Sequence, residues 1–514
     1  MNYQWDNTIT YNKSIGKHDF SALGAFSMQK NSNNYTQVDA RGFSSDDFTY
    51  MYLNGASQKQ DFSLGSDFVT TTLLSYTGRL NYSYDKKYFA TVTTRLDGSS
   101  RFGPNNKWGT FPSVALGWDI AKEFLQSVES IKLLKLRGSY GIAGNQNIPN
   151  YAYVSKYRPV YTNGSVVYKP SDYLGNPDLQ WERQKQFDFG LDFATSDNRF
   201  SMTLDYFDIK NDNLLMIKSV TSLSGFTTGI DNVGTMVNKG VEFSANYKIL
   251  RNNNLNWDIS GNISSAKNKI TKLYGETTAI YNTGGYTGVE IQRTGNLFVG
   301  KSVNSIYVFE FDKIAQASDM TEISKINFGG RTVKPGDIVP VDRNKDGKID
   351  DNDRYVVGNT DPDFYGGFAT DFSYKGFGLN AVFAYSIGGR RISSAYESFM
   401  SSGGMSAAHT DLLDRWTPEH TDTDVPRAYY GGGRFNSYET SLAIQNSSFL
   451  RLNALTLSYN FPNSILEKAY LQNLRLYVTG SNLFTITKYK GYDPEGGDSY
   501  PNSRMFVLGL NVSL

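Results

Sequence analysis

The sequence predicts an all-β protein, a transmembrane antiparallel β-barrel, on three observations. Segments of about ten residues alternate apolar and polar side chains, the period of two that marks strands. That length, with one apolar and one polar face, suits a strand that crosses a bilayer and faces water on its other side. The connections between segments are alternately short and long, as in barrels with tight periplasmic turns and extended extracellular loops.

The elements follow in order. Segments 3–12 and 17–27 are joined around Ile15-Gly16. Segment 72–84 puts Leu74, Tyr76, Leu80, Tyr82 and Tyr84 opposite Ser75, Thr77, Arg79, Asn81 and Ser83. After the two-residue turn Asp85-Lys86, 87–96 repeats the pattern with Tyr88, Ala90, Val92 and Leu96 against Thr91, Thr93 and Arg95. Segments 111–120 and 131–141 flank a short link. Segments 182–195 and 198–209 meet at Ser196-Asp197, with Phe187, Phe189, Leu191 and Phe193 opposing Gln186, Asp188, Gly190 and Asp192. Segments 237–249 and 255–265 precede 363–374 and 377–387, which turn at Lys375-Gly376. Segments 447–460, 471–483 and 504–514 complete about fifteen strands. The long connections are 28–71, 97–110, 142–181, 210–236, 266–362, 388–446 and 484–503. Compact soluble domains rarely carry several structureless loops of that length.

Parity gives a direction. A barrel of this kind ends in the periplasm, so the last strand descends and, by the count, so does the first. Single-chain bacterial barrels have even strand numbers and begin with an ascending strand. The sequence is therefore expected to start partway round a barrel. The opening residues MNYQWDNTITYNKS lack the basic and apolar regions of a signal peptide, which fits the same expectation.

Composition narrows the function classes. No apolar run reaches the length of a membrane helix, and the mean hydropathy is −0.44. A barrel needs only every second residue apolar, and 36 Tyr and 32 Phe are enough to supply aromatic girdles. A net charge of +1 gives no electrostatic case for nucleic acid. The absence of cysteine removes disulfides and thiolate metal sites.

One loop carries specific chemistry: DRNKDGKIDDND, from Asp342 to Asp353. Asp342, Asn344 and Asp346 occupy positions 1, 3 and 5; Gly347 allows the turn at 6, and the Lys348 carbonyl falls at 7. Ile349 at position 8 is expected to pack inward, and Asp353 closes the loop at 12 in place of the usual Glu. The spacing predicts calcium, in a structural role: a cation would pin a long loop. Other constellations are weak. His18, His409 and His420 lie far apart in sequence, no phosphate loop links a strand to a helix, and no acid pair stands out, so no enzyme is expected. Trp5, Trp108, Trp118, Trp181, Trp257 and Trp416 read as girdle or loop packing before sugar platforms.

These residues resemble the SusC/RagA class of TonB-dependent outer-membrane transporters of Bacteroidetes, over almost the whole chain. The resemblance is carried by RLDGSSRFGPNNKWGTFPSVALGW (95–118), LKLRGSYGIAGNQ (134–146), GNPDLQWE (175–182) and NKGVEF (238–243). It continues through the calcium-like loop, DPDFYGGF (361–368), RWTPEHTDTDVPR (415–427) and SNLFTITKYKGYDPE (481–495). The closing GLNVSL resembles the family's barrel-assembly signal, with Leu514 in place of the terminal aromatic. The resemblance implies a barrel of about 22 strands with an N-terminal plug, of which this chain supplies the C-terminal portion, residues 1–514. It implies a SusD-like lipoprotein partner, energy from the TonB complex through a missing N-terminal part, and import of glycan oligosaccharides or peptides. A dimer of transporter–lipoprotein pairs is a further family tendency. Two other classes stay open at this point: a passive surface-adhesion barrel, and a secreted calcium-dependent glycan-active protein.

Overall fold

The computed structural model of the protein describes residues 1–43, 45, 52–56, 63–162, 164–171, 173–252, 254–282, 293–401, 407–428, 439–495 and 500–513. Fifteen strands form one sheet in sequence order. They are β1 (Asn2–Ile15), β2 (His18–Asp39), β3 (Ser63–Tyr84), β4 (Tyr88–Ser99), β5 (Trp108–Asp119), β6 (Ile131–Asn145), β7 (Glu182–Thr195) and β8 (Phe200–Asp212). They continue as β9 (Thr235–Arg251), β10 (Leu255–Lys272), β11 (Pro362–Tyr374), β12 (Phe377–Gly388), β13 (Phe449–Asn460), β14 (Asn473–Thr487) and β15 (Met505–Ser513). All fifteen expected strands are present; Leu514 lies outside the described residues. No helix is long and apolar enough to cross a membrane among the described residues.

The chain divides into two compact units. In the first (1–118, 138–187 and 210–235), register turns the alternation into rows. Ala22, Leu80, Val92 and Val114 are consecutive cross-strand partners on the apolar face of β2–β5. The row above begins with Gly24 and Gly78 and ends on Thr94 and Pro112; the next holds Phe26, Tyr76, Leu96 and Thr110. Aromatic rings cluster at both ends of this face. Trp5, Phe26, Tyr76 and Trp108 lie toward the long loops, and His18, Tyr84, Tyr88 and Trp118 toward the short turns. Tyr76 and Tyr84 stand eight residues apart on β3, about 26 Å of strand. This is the spacing of two interfacial girdles around an apolar band. Leu80, between them, is 62% exposed, an apolar side chain that lipid would cover.

In the second unit (119–137, 188–209 and 236–514), Trp257, Phe372, Leu379, Leu457, Val478 and Leu508 form one such apolar row. The reverse face carries Asp258, Asp371, Asn380, Thr456 and Thr479 in register. There Asn380 donates to Asp371 at 2.6 Å, and the hydroxyls of Thr456 and Thr479 meet at 2.8 Å.

Turns confirm the short connections. Asp85 and Lys86 have φ of 52° and 53°, and Lys375 and Gly376 have 45° and 91°, the left-handed pairs that match the twist of hairpin strands. The largest extensions beyond expectation run toward the long loops. β2 and β3 stay paired out to Asp39–Ser63, although 28–39 and 63–71 were read as loop. Beyond the apolar band both faces meet water, so the alternation that marks a strand fades while the ladder continues.

Candidate functional site

The long connections are not structureless. In the first unit Phe102, Phe111, Ile148, Ala152, Leu179, Trp181 and Ile230, from three connections and β5, pack into a buried core. In the second unit the 266–362 connection folds into a lobe. Ser305–Phe309 pairs with Arg354–Asn359, and Phe311–Ile314 with Ile338–Pro340. Its core is Phe309, Ala315, Ile323, Phe328, Val333, Val339 and Ile349.

The calcium-like loop closes one side of this lobe, and Ile349 packs inward as its position requires. Asn327 clamps it from outside: its N–H donates to the Gly347 carbonyl at 2.8 Å, and its carbonyl accepts from Ile349 at 2.9 Å. Asp342 accepts from the N–H groups of Asp346 (3.2 Å) and Gly347 (2.9 Å). Asn344 accepts from Asp346 at 3.0 Å, and Asp346 from Lys348 at 2.9 Å. Asp353, fully buried, accepts from Arg343 (2.8 Å), Asn344 (3.3 Å) and Asp350 (2.9 Å). Gly347 has φ of 79°, the conformation that the sharp turn demands of position 6. The donor set is all oxygen, which suits a hard cation. The carboxylates are each held by backbone amides, and among the described residues no three His, Asp or Glu side chains are gathered to hold a metal ion. The lobe also has its own apolar core, so a cation is not the sole source of its order.

Ion pairs tie the connections of the second unit together. Arg293 meets Glu397 at 2.5 Å, and Arg354 bridges Asp351 (3.0 Å) and Glu439 (3.1 Å). Arg427 pairs with Asp337 at 2.8 Å. Asp411 receives Lys490 at 2.5 Å and the Tyr396 hydroxyl at 2.7 Å. Burial pushes the Asp411 carboxyl up, but the bonds from Lys490 and Tyr396 outweigh it and hold it below the usual carboxylate range. Burial, then the Asp411 carboxylate, push the Tyr396 phenol well above its ordinary value. Arg451 is enclosed with Asp493 at 2.6 Å and reaches Glu495 at 2.8 Å. Sequence reasoning passed over these groups; a lone Arg inside the apolar run FLRLNAL was the available signal.

The remaining expectations sort simply. His18 touches the Tyr82 hydroxyl at 2.9 Å within the aromatic cluster. His409 caps a short turn through the Asp411 N–H, and His420 meets Asp414 at 2.8 Å. Trp5, Trp108, Trp118 and Trp257 lie on the apolar face, whereas Trp181 and Trp416 pack into loop structure. On the polar face Arg137 reaches Asp192 and Asp205, each at 2.8 Å, passing over Gly190.

Known proteins share this arrangement. The family described as TonB dependent receptor-like, beta-barrel matches residues 1–483. The chain is 37% identical to TonB-dependent receptor P3 of Formosa agariphila over 99% of its length and 52% of that protein. It is 32% identical to TonB-dependent receptor SusC of Bacteroides thetaiotaomicron, over 99% of the chain and 50% of SusC. The solved structure of the RagAB peptide transporter aligns at 30% identity with a TM-score of 0.84, covering all of this chain and 55% of that one. The chain thus spans about half the length of the curated relatives it matches. Strand order, two-faced wall and long folded loops agree with these likenesses, and the chain belongs to the TonB-dependent receptor β-barrel family of the outer membrane, on the SusC/RagA side of it.

Proposed function

We propose that the full protein imports large nutrients, glycan oligosaccharides or peptides, across the outer membrane together with a SusD-like surface lipoprotein. The observation that carries this reading is the built character of the long loops. They own buried cores and mutual ion pairs, as a surface that must hold shape around a bulky ligand requires. This chain contributes barrel wall and cavity loops; connections 28–71, 142–181, 266–362 and 388–446 would line the cavity and receive the lipoprotein. TonB would act through residues outside this stretch. The RagAB likeness favours keeping peptides beside glycans as cargo. No covalent chemistry is assigned to any residue. The test is uptake of labelled oligosaccharide and peptide pools by cells carrying the full-length protein, with and without TonB. TonB-dependent accumulation of one pool is expected; accumulation that ignores TonB would sink the reading.

Within this reading, the 342–353 loop is proposed to take calcium, with Asp342, Asn344, Asp346, the Lys348 carbonyl and Asp353 as ligands. Support comes from the spacing, the oxygen donors and the inward Ile349. The side chains must turn from their amide partners to do so. Isothermal titration should show one site, abolished in Asp342→Ala; absence of heat in the parent protein would remove calcium from the account.

A further inference from the structure

We propose a binding site for a phosphorylated lipid headgroup of the outer leaflet on the apolar face of the first unit, at Arg183, Lys185 and Lys210. It rests on the outer-membrane placement and on the strand register, not on the import reading.

Alternation along β7 puts Arg183, Lys185 and Phe187 on one face. Phe187 is 46% exposed and belongs to the apolar band. One and two steps further toward the long loops, the same face changes to cations. Lys185 reaches Asp212 of β8 at 2.8 Å, and Lys210 reaches the other oxygen of that carboxylate at 3.1 Å. Asp212 also takes a long contact from the Thr235 hydroxyl at 3.5 Å. Arg183 is exposed and has no ion pair among the described residues. The neighbouring acid, Glu182, falls on the opposite face and takes its hydrogen bond from Asn145 at 3.3 Å.

On the same face Asp208, two residues from Lys210, is taken by Lys239 at 2.6 Å, so four cations face two carboxylates, an excess of two positive charges. The ammonium groups of Lys185 and Lys210 each have three donors and give one to Asp212, so donors remain for a second anion. The Asp212 carboxylate draws both ammonium groups together, and Arg183 supplies a planar fork about 7 Å along the strand from Lys185. Long loops mark the extracellular end, so this cluster sits where the outer leaflet places its headgroups. Basic residues at a band edge with an apolar neighbour below fit an acyl chain against Phe187 and a phosphate among the cations. A soluble phosphate would use the charges but leave Phe187 without a role.

The test uses the full-length protein extracted from its native membrane and exchanged into nanodiscs, with bound lipid read by native mass spectrometry. The parent should retain bisphosphorylated lipid A in preference to dephosphorylated lipid A. Retention should fall roughly fivefold for each cation removed in the series Arg183→Gln, Lys185→Gln, Lys210→Gln. The triple charge-keeping variant (Arg183→Lys, Lys185→Arg, Lys210→Arg) should hold the lipid, and heat-modifiable gel mobility checks that each protein is folded. Equal retention by parent and the triple Gln variant overturns the site. So does equal retention of the two lipid A forms. Full displacement by millimolar inorganic phosphate, with no lipid preference, overturns its assignment to lipid.

Discussion

Gly190 carries no side chain because Arg137 passes over it. A Cβ there would stand 2.4 Å from an Asp205 oxygen and 2.7 Å from the guanidinium. Gly190→Ala should push the arginine off Asp205 and cost about 1–3 kcal/mol, seen as a lowered denaturant midpoint of the folded protein in detergent. Asp411 governs a different response. Its folded carboxyl lies below the ordinary range, so the contribution is present at neutral pH and lost as pH falls through that lowered value. The contact of Asp411 with Lys490 should persist from neutral pH down through the ordinary carboxylate range and open only below it. Limited proteolysis of the 388–446 and 484–503 connections from neutral pH to below that range should show an acid-induced step, and Asp411→Asn should abolish its pH dependence.

At the scale of elements, the loops rather than the strands hold the surprises. Strand existence was legible because lipid on one side and water on the other force a period of two. Phe187, Leu80 and Leu508 announce their face by type alone. The loop lobes were not legible, since Phe309, Phe328 and Ile349 come from irregular stretches with no period to connect them. The calcium-like spacing was visible in the sequence; the amide partners that now hold its carboxylates were not. A buried pair, Arg451–Asp493, also holds the described part of connection 484–503. Arg451→Met leaves Asp493 enclosed without its cation and should cost about 3–5 kcal/mol. Adding Asp493→Asn should recover part of that loss, a coupling that a double-mutant cycle of unfolding midpoints reads directly.

At the scale of the whole sheet, the rows decide what a substitution costs. Leu80 stands in the row Ala22–Leu80–Val92–Val114, midway between two aromatic clusters. Leu80→Arg should cost about 2–4 kcal/mol in folding into lipid vesicles, while Thr91→Arg on the other face should cost under about 1 kcal/mol. Equal costs would contradict the assignment of faces. Each strand of the large sheet pairs with its sequence neighbour, so no crossover hides the alternation of short and long connections.

The lobe with its own core leaves β10 and returns on β11, and these strands are direct partners, with Ser264 opposite Tyr365. Departure and return thus fall on neighbouring strands of the wall. Such a lobe can change in length and sequence while the ladder that spans the lipid keeps its register.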